Sequence, residues 1–340
     1  MFIRQMIIHL MTYQSTKVRL FLIMLLMVGI GCHRERGDAT TLEAIRFEKI
    51  LFEAEPQEVI DTFHSHLLDI QPFFDVFNEE IILIGPDTLP EYPASLESFT
   101  NDPILMAVYD AINQRWPIFS KQIGILNKGL QQMGRLTGLG VPTLVTYLSG
   151  FNESFITLPG LLGVGLDKYL GSDCSWYKEL RIPEYIRSRM NPENLASDAM
   201  KAWLMSELEP PALGSSFLDH LLYHGKIQYL LQESLPRIPK HIHFHFTEEQ
   251  LKWCEEHEQE MWRYLAENRI LFSTERMMIR KFHEDAPFTS DFGHDSPGKT
   301  GCWIGYQVIH SYLKATRQGP EVLFEEINSQ EILSKSRYRP

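Results

Sequence analysis

The feature that most limits how this chain folds is an apolar run of eleven residues, Leu20–Ile30, which ends just before a cysteine. Lys17 and Arg19 precede the run, and small residues lead from it into Cys32. Basic, then apolar, then small residues is the order of a secretory signal peptide. The run is about half as long as a helix that crosses a bilayer. We therefore predict that residues 1–31 are removed and that Cys32 is lipidated.

The residues after Cys32 turn polar at once, and this favours a cleaved signal over an uncleaved signal anchor, the alternative. Residues 32–41 are predicted to form a flexible tether and residues 42–340 a single globular domain. Acylated Cys32 would hold that domain at a lipid bilayer. We expect a location in the cell envelope that faces the periplasm, and we prefer the outer membrane because His33, not an aspartate, follows the cysteine.

The domain is predicted to be mainly helical and α+β, with a small β-sheet. Hydrophobic residues make up 44% of the chain, which is enough for a large core, and no linker rich in Gly, Ser or Pro divides it. Apolar residues at helical spacing predict helices at 42–54, 56–70, 102–116, 118–135, 193–208, 215–233, 249–269, 274–284 and 301–317. Runs of β-branched and apolar residues predict strands at 142–148, 154–158 and 162–166.

Charge and cysteine content narrow the function classes. The net charge of −12 disfavours contact with phosphate backbones, so no nucleic-acid partner is expected. Beyond Cys32 there is no pair of cysteines at metal-binding spacing. Cys174, Cys254 and Cys302 are interpreted as small buried residues, with a single disulfide as the alternative.

One pair of histidines has the spacing of a zinc helix. His220 and His224 are four residues apart in the helix predicted at 215–233, so both can face one ion. Zinc peptidases place a general-base Glu directly after the first His, but here that residue is Leu221. No catalytic residue is therefore predicted, and packing of the two histidines without a metal is the alternative. A third ligand from the next helix is conceivable, namely Glu255, Glu258 or Glu260.

A second group of histidines occupies residues 241–245. If this segment is extended, its three histidines lie on one side and form a metal site or a pH-sensitive patch. The alternative is a solvated loop before the next helix. The chain has no nucleophile elbow, phosphate-binding loop or dinucleotide-binding glycine motif.

Several short motifs in a fixed order resemble the gliding motility lipoprotein GldB family of Bacteroidota. The resemblance runs from about Ile45 to Pro340 and includes the segments 45–52, 149–151, 223–226 and 301–307. The residues that carry it include Gly165, Asp167, Gly225, Lys226, Trp253, Gly301, Trp303 and Gly305.

The resemblance implies a cell-envelope lipoprotein whose partners are other envelope proteins of the motility and secretion apparatus. It also implies a degenerate zincin-like core in which Glu258 takes the place of a third zinc ligand. Our leading expectation is a non-catalytic assembly or scaffolding role without a cofactor. The alternative is a membrane-tethered, zincin-like metallohydrolase that uses His220, His224 and Glu258.

Overall fold

The computed structural model describes residues 44–325 and 327–340. The predicted signal peptide (1–31), the lipidation site Cys32 and the tether (32–41) lie outside the described residues and stay predictions. The described chain is mainly helical and contains one small sheet, so the predicted α+β class is confirmed. Its residues from 44 onward belong to one compact unit.

The sheet has four strands in the order β1-β2-β4-β3. β1 is parallel to β2, β2 is parallel to β4, and β3 is antiparallel to β4. The three predicted strands are all present, whereas β1 lies within the segment predicted as the first helix. The strands are β1 (Ile45–Arg46), β2 (Thr143–Tyr147), β3 (Phe155–Leu158) and β4 (Leu161–Gly165).

Nine of the fifteen helices in the described part lie where helical spacing predicted them, and most of their boundaries agree within a few residues. The fifteen helices are α1 (Phe47–Glu53), α2 (Pro56–Ser65), α3 (Gln71–Val76), α4 (Tyr92–Thr100), α5 (Pro103–Thr137), α6 (Ser175–Glu179), α7 (Glu184–Arg187), α8 (Pro192–Glu207), α9 (Phe217–Ser234), α10 (Lys240–Phe244), α11 (Glu248–Glu256), α12 (Glu258–Glu267), α13 (Arg276–His283), α14 (Thr300–Thr316) and α15 (Ser329–Ser336). The helices that were not predicted are α3, α4, α6, α7, α10 and α15.

Capping side chains explain where several helices begin. Asp102 accepts hydrogen bonds from two backbone amides in the first turn of α5, and Thr247 forms a capping box with Gln250. Asn191 directly precedes α8 but does not cap it, because its side chain bonds to Ser172 and Ser188 instead of the first turn of the helix.

Two predictions about helix continuity are also corrected. The helix predicted at 249–269 is broken at His257, where α11 ends and α12 begins. The histidine-rich segment 241–245 is neither extended nor a loop: most of it forms the short helix α10, and His243 is buried against Ser197.

The sheet lies between two hydrophobic layers. On one face, Val145 and Tyr147 of β2 pack against a cluster of aromatic rings, which includes a stacked pair at 4.1 Å, Phe63 and Phe74. On the other face, Leu144 of β2 and Leu162 of β4 belong to the larger core built by the long helices. Successive residues of a strand thus pack into opposite hydrophobic layers, as expected for a sheet that is covered on both sides.

The cysteines agree with their interpretation as small core residues. Cys254 and Cys302 are buried, Cys174 is half-buried, and all three are free thiols. Burial raises the pKa of the Cys254 thiol.

Candidate functional site

A cluster of charged side chains lies where five segments of the chain meet. Asp198 projects from α8, His245 ends α10, Asp285 follows α13, Lys299 precedes α14, and Arg189 comes from the connection between α7 and α8. These side chains are largely buried, from 10% exposed for His245 to 35% for Asp285. We call these five residues the polar cluster.

The contacts of His245 fix its tautomer. Its Nε2 lies 2.5 Å from Oδ1 of Asp198, while its Nδ1 lies 3.0 Å from Arg189 Nη1 and 3.3 Å from Lys299 Nζ. Arginine and protonated lysine only donate, so Nδ1 is an acceptor and the proton is on Nε2, which donates to Asp198. Burial lowers the pKa of His245 to about 4, so the ring is neutral at pH 7.

Asp285 holds the two cations of the cluster together. Both terminal nitrogens of Arg189 donate to its carboxylate, and Lys299 forms an ion pair with the same group. Burial opposes ionisation, but the two cations hold the pKa of Asp285 well below its usual value. Burial and the nearby charges of Lys201 and Arg189 lower the pKa of Lys299 to about 8.

Two residues of the polar cluster adopt a backbone conformation that side chains rarely accept. The φ angles are 59° at His245 and 56° at Lys299, both in the left-handed region. Such a residue costs about 1–3 kcal/mol and persists only where the surrounding structure enforces it. Six other non-glycine residues of the described chain share this conformation, so it does not by itself mark the polar cluster as a binding site.

Two cavities share the polar cluster. One has a volume of about 660 Å³ and is bounded by α7, α10 and the segment after α13. The other, of about 400 Å³, is bounded by α8 and the turn that follows β4. Arg189, His245, Asp285 and Lys299 line both cavities. Concave sites of this size with convergent charged groups are the usual form of a small-ligand site.

The predicted histidine pair occupies one face of α9 and meets a third histidine. His283 of α13 stacks on His224 with ring centroids 5.1 Å apart, and its ring lies 6.4 Å from that of His220. Its Nδ1 bonds to the carbonyl of Ile279, whereas its Nε2 is buried without a partner. Burial lowers the pKa of His224 and of His283, the latter to about 4.

Glu258 is engaged elsewhere. Its Oε2 accepts a hydrogen bond from Gln307 at 2.6 Å and its Oε1 one from Tyr338 at 2.8 Å. Among the residues that the structure describes, no three His, Cys, Asp or Glu side chains are arranged to hold a metal ion. The structure therefore does not assemble the predicted set of His220, His224 and Glu258, and nothing in the fold supports a zincin-like core.

Three of the glycines that carry the family resemblance lie where the backbones of two helices, or a helix and a neighbouring segment, come into direct contact. A Cβ on Gly225 of α9 would lie 2.9 Å from the Cα of Gly305 in α14, and a Cβ on Gly305 would overlap the carbonyl oxygen of Leu221. Gly301 leaves room in the same way for the ring of His283. Leu221, which stands where zinc peptidases have their general-base Glu, thus belongs to the contact between α9 and α14.

Asp167 is hydrogen-bonded to the segment 149–151, which also carries the family resemblance. It follows Gly165, and its buried Oδ2 accepts hydrogen bonds from the amide of Ser149 at 3.2 Å, from the Ser149 hydroxyl at 3.1 Å and from the amide of Phe151 at 2.6 Å. Phe151 has a φ of 66°. Asp167 therefore stabilises the turn after β2, while burial raises the pKa of its carboxyl group.

The remaining motif residues lie in or near the core. Trp303 is buried and packs against Phe244, with ring centroids 5.4 Å apart. Trp253 stacks on His257 at 4.3 Å. Lys226 is half-buried on α9, where burial lowers its pKa. These positions agree with a role in packing.

Sequence reasoning missed most of the polar cluster. Arg189, Asp198, Asp285 and Lys299 belong to no motif, and they come from segments up to 110 positions apart in the sequence. The one available signal was the histidine-rich segment that ends at His245.

Comparison with known proteins identifies the class of protein. The sequence profile described as gliding motility protein GldB matches residues 34–340, nearly the whole chain. The profile is that of a lipoprotein family, so this is a cell-envelope protein of gliding motility. The chain belongs to the GldB family. No curated protein and no solved structure matches it significantly. No helix within residues 44–325 and 327–340 is both long and apolar enough to span a bilayer.

Proposed function

We propose that this protein is anchored by acyl chains on Cys32, after removal of residues 1–31, and that it serves as a non-catalytic assembly component of the gliding motility and secretion apparatus. The observation that carries the proposal is the extent of the family match. It begins at residue 34, two positions after Cys32, and runs to the last residue. The family domain thus begins almost directly after the proposed lipidation site.

The tether favours this arrangement. Residues 32–41 span at most about 35 Å when extended, so the domain stays close to the membrane that holds the acyl chains. Two or more acyl chains give stable anchoring, whereas one gives only reversible binding. We place the domain on the periplasmic side, with the outer membrane as the preferred bilayer. Its partners there would be other envelope proteins of motility and secretion.

The anchor is tested by metabolic labelling with an alkyne analogue of palmitate in a bacterium that processes lipoproteins. We expect the wild-type protein to be labelled and membrane-bound, and Cys32→Ala to lose both properties. Cys174→Ala is the matched control, since Cys174 is a free, half-buried thiol, and it should keep its label. Label retained by Cys32→Ala would refute lipidation at this residue.

The non-catalytic role is tested with His220→Ala and Glu258→Gln in a gliding strain. Assembly without hydrolysis predicts that both variants, at wild-type protein levels, support normal gliding and co-isolate the same envelope proteins after cross-linking. A loss of gliding by either variant at normal abundance, accompanied by a hydrolytic activity that only the wild type has, would favour the metallohydrolase instead.

A further inference from the structure

The smaller of the two cavities at the polar cluster is lined by both apolar and charged side chains. Its volume is about 400 Å³, and it opens beside Lys201 of α8. We call it the Lys201 cavity. Its apolar lining residues are Phe155, Ile182, Ile186, Met190, Ala202 and Met205. Charged side chains line the same cavity, so it offers both kinds of contact that an amphiphile makes.

The charged lining of the Lys201 cavity has more cations than anions. Four cations line it, namely Lys168, Arg189, Lys201 and Lys299, against the two carboxylates Asp198 and Asp285. His245 is neutral because its Nδ1 accepts from cations. The cavity therefore has an excess of two positive charges in a chain whose net charge is −12. This local reversal of sign attracts anions.

The excess charge belongs to Lys168 and Lys201, which form no hydrogen bond or salt bridge with a carboxylate of the described chain, although Asp167 lies near Lys168 and Asp198 near Lys201. Arg189 and Lys299 both pair with Asp285. Lys168 donates only to the carbonyl of Phe151, at 3.1 Å. Lys201 makes no hydrogen bond or salt bridge within the described residues, although it is half-buried. A half-buried ammonium group without an acceptor is open to a charge-assisted hydrogen bond.

We propose that the Lys201 cavity binds an amphiphilic anion, with a carboxylate or phosphate head at Lys201 and Lys168 and an apolar tail along Met205, Ile182 and Phe155. The volume lies within the usual range for small-molecule sites. Burial and the nearby Lys201 and Arg189 lower the pKa of Lys299, and an anion in the cavity would relieve this repulsion. The site does not depend on the anchor or on the assembly role.

The test is equilibrium dialysis of the full-length protein in lipid nanodiscs, with empty nanodiscs as the blank. The probes are octanoate, octyl phosphate and uncharged octanol. We expect saturable binding of one octanoate or octyl phosphate per chain, and at least tenfold weaker binding of octanol. The head group that binds more tightly distinguishes a carboxylic acid from a phosphate ester.

Two variants locate the site. Lys201→Gln keeps the aliphatic stem but removes the charge, and it should raise the Kd for the anion at least tenfold. Lys121→Gln on the exposed face of α5 is the matched control and should leave the Kd unchanged. Met205→Glu places an acid among the apolar lining residues at a position that is 43% exposed, so it provides an independent variant that should fold. It should also abolish binding.

Four results would overturn the proposal. The first three are no saturable binding of either anion, equal Kd values for wild type and Lys201→Gln, and octanol binding as tight as that of the anions. The fourth is inorganic phosphate binding as tight as that of octyl phosphate, since the apolar side chains would then contribute nothing.

Discussion

The crossing of α9 and α14 depends on glycines, and substitution of Gly305 by alanine tests this directly. The new Cβ would lie 3.2 Å from the Cα of Gly225 and 3.0 Å from the carbonyl carbon of Leu221, and it would overlap the Leu221 oxygen. Carbon atoms pack at about 3.5–4.0 Å. Neither close neighbour is a side chain that can rotate away, so the two helices must move apart by roughly 1 Å.

The cost follows from the contacts that this separation weakens. A buried leucine makes 40–60 atomic contacts of about 0.1–0.2 kcal/mol each, and a gap of 0.5–1 Å removes a quarter or more of that energy, or about 2 kcal/mol per side chain. Alanine regains about 1 kcal/mol over glycine within a helix. If two such side chains on the crossing are affected, Gly305→Ala should lower the free energy of unfolding by about 3 kcal/mol.

Thermal unfolding followed by circular dichroism measures this effect, and we expect a decrease in Tm of about 5 °C for a domain of about 300 residues. Gly124→Ala in α5 is the matched control, because a Cβ there meets nothing within 4 Å. It should gain about 1 kcal/mol from helix propensity alone. If Gly305→Ala is as stable as the wild type, or gains stability as the control does, the argument from close backbone packing is wrong.

Two further predictions concern buried polar groups. Asp167→Ala removes the acceptor of two backbone amides and should lower the free energy of unfolding in urea by about 3 kcal/mol. Asp167→Asn keeps a carbonyl oxygen for these amides and should lower it by less than about 1 kcal/mol. Equal losses in the two variants would contradict this role of Asp167. His283 has a pKa of about 4 in the folded protein and about 6.5 when unfolded, so the unfolded state binds its proton first and stability is lost as the pH falls from about 6.5 towards 4. Between pH 7 and 5.5 this single ring accounts for a loss of about 1 kcal/mol in the free energy of unfolding. In His283→Asn the amide can still donate to the carbonyl of Ile279, so this variant should lose about 1 kcal/mol less than the wild type over the same pH interval.

The polar cluster shows where reasoning from the sequence stops. Asp198 has the spacing of a polar position on an amphipathic helix, and Asp285 and Lys299 have the surroundings of loop residues. Nothing in local spacing indicates that they meet. For His220 and His224 the local spacing was correct and placed both rings on one face of α9. The side chain that lies beside them is His283, whereas the carboxylate of Glu258 is bound by Gln307 and Tyr338.

The sequence by itself predicted the long helices, three of the four strands of the described part, the α+β class and the family, because periodicity and motif order are local properties that the chain carries wherever it folds. Only the structure showed that Gly225 and Gly305 bring the backbones of α9 and α14 into contact. The tertiary structure alone decided which charges share a cavity and which histidine meets which. Side chains from distant segments become neighbours through the packing of the helices on the sheet, and pKa shifts, strain and unpaired cations arise only once that packing has excluded water.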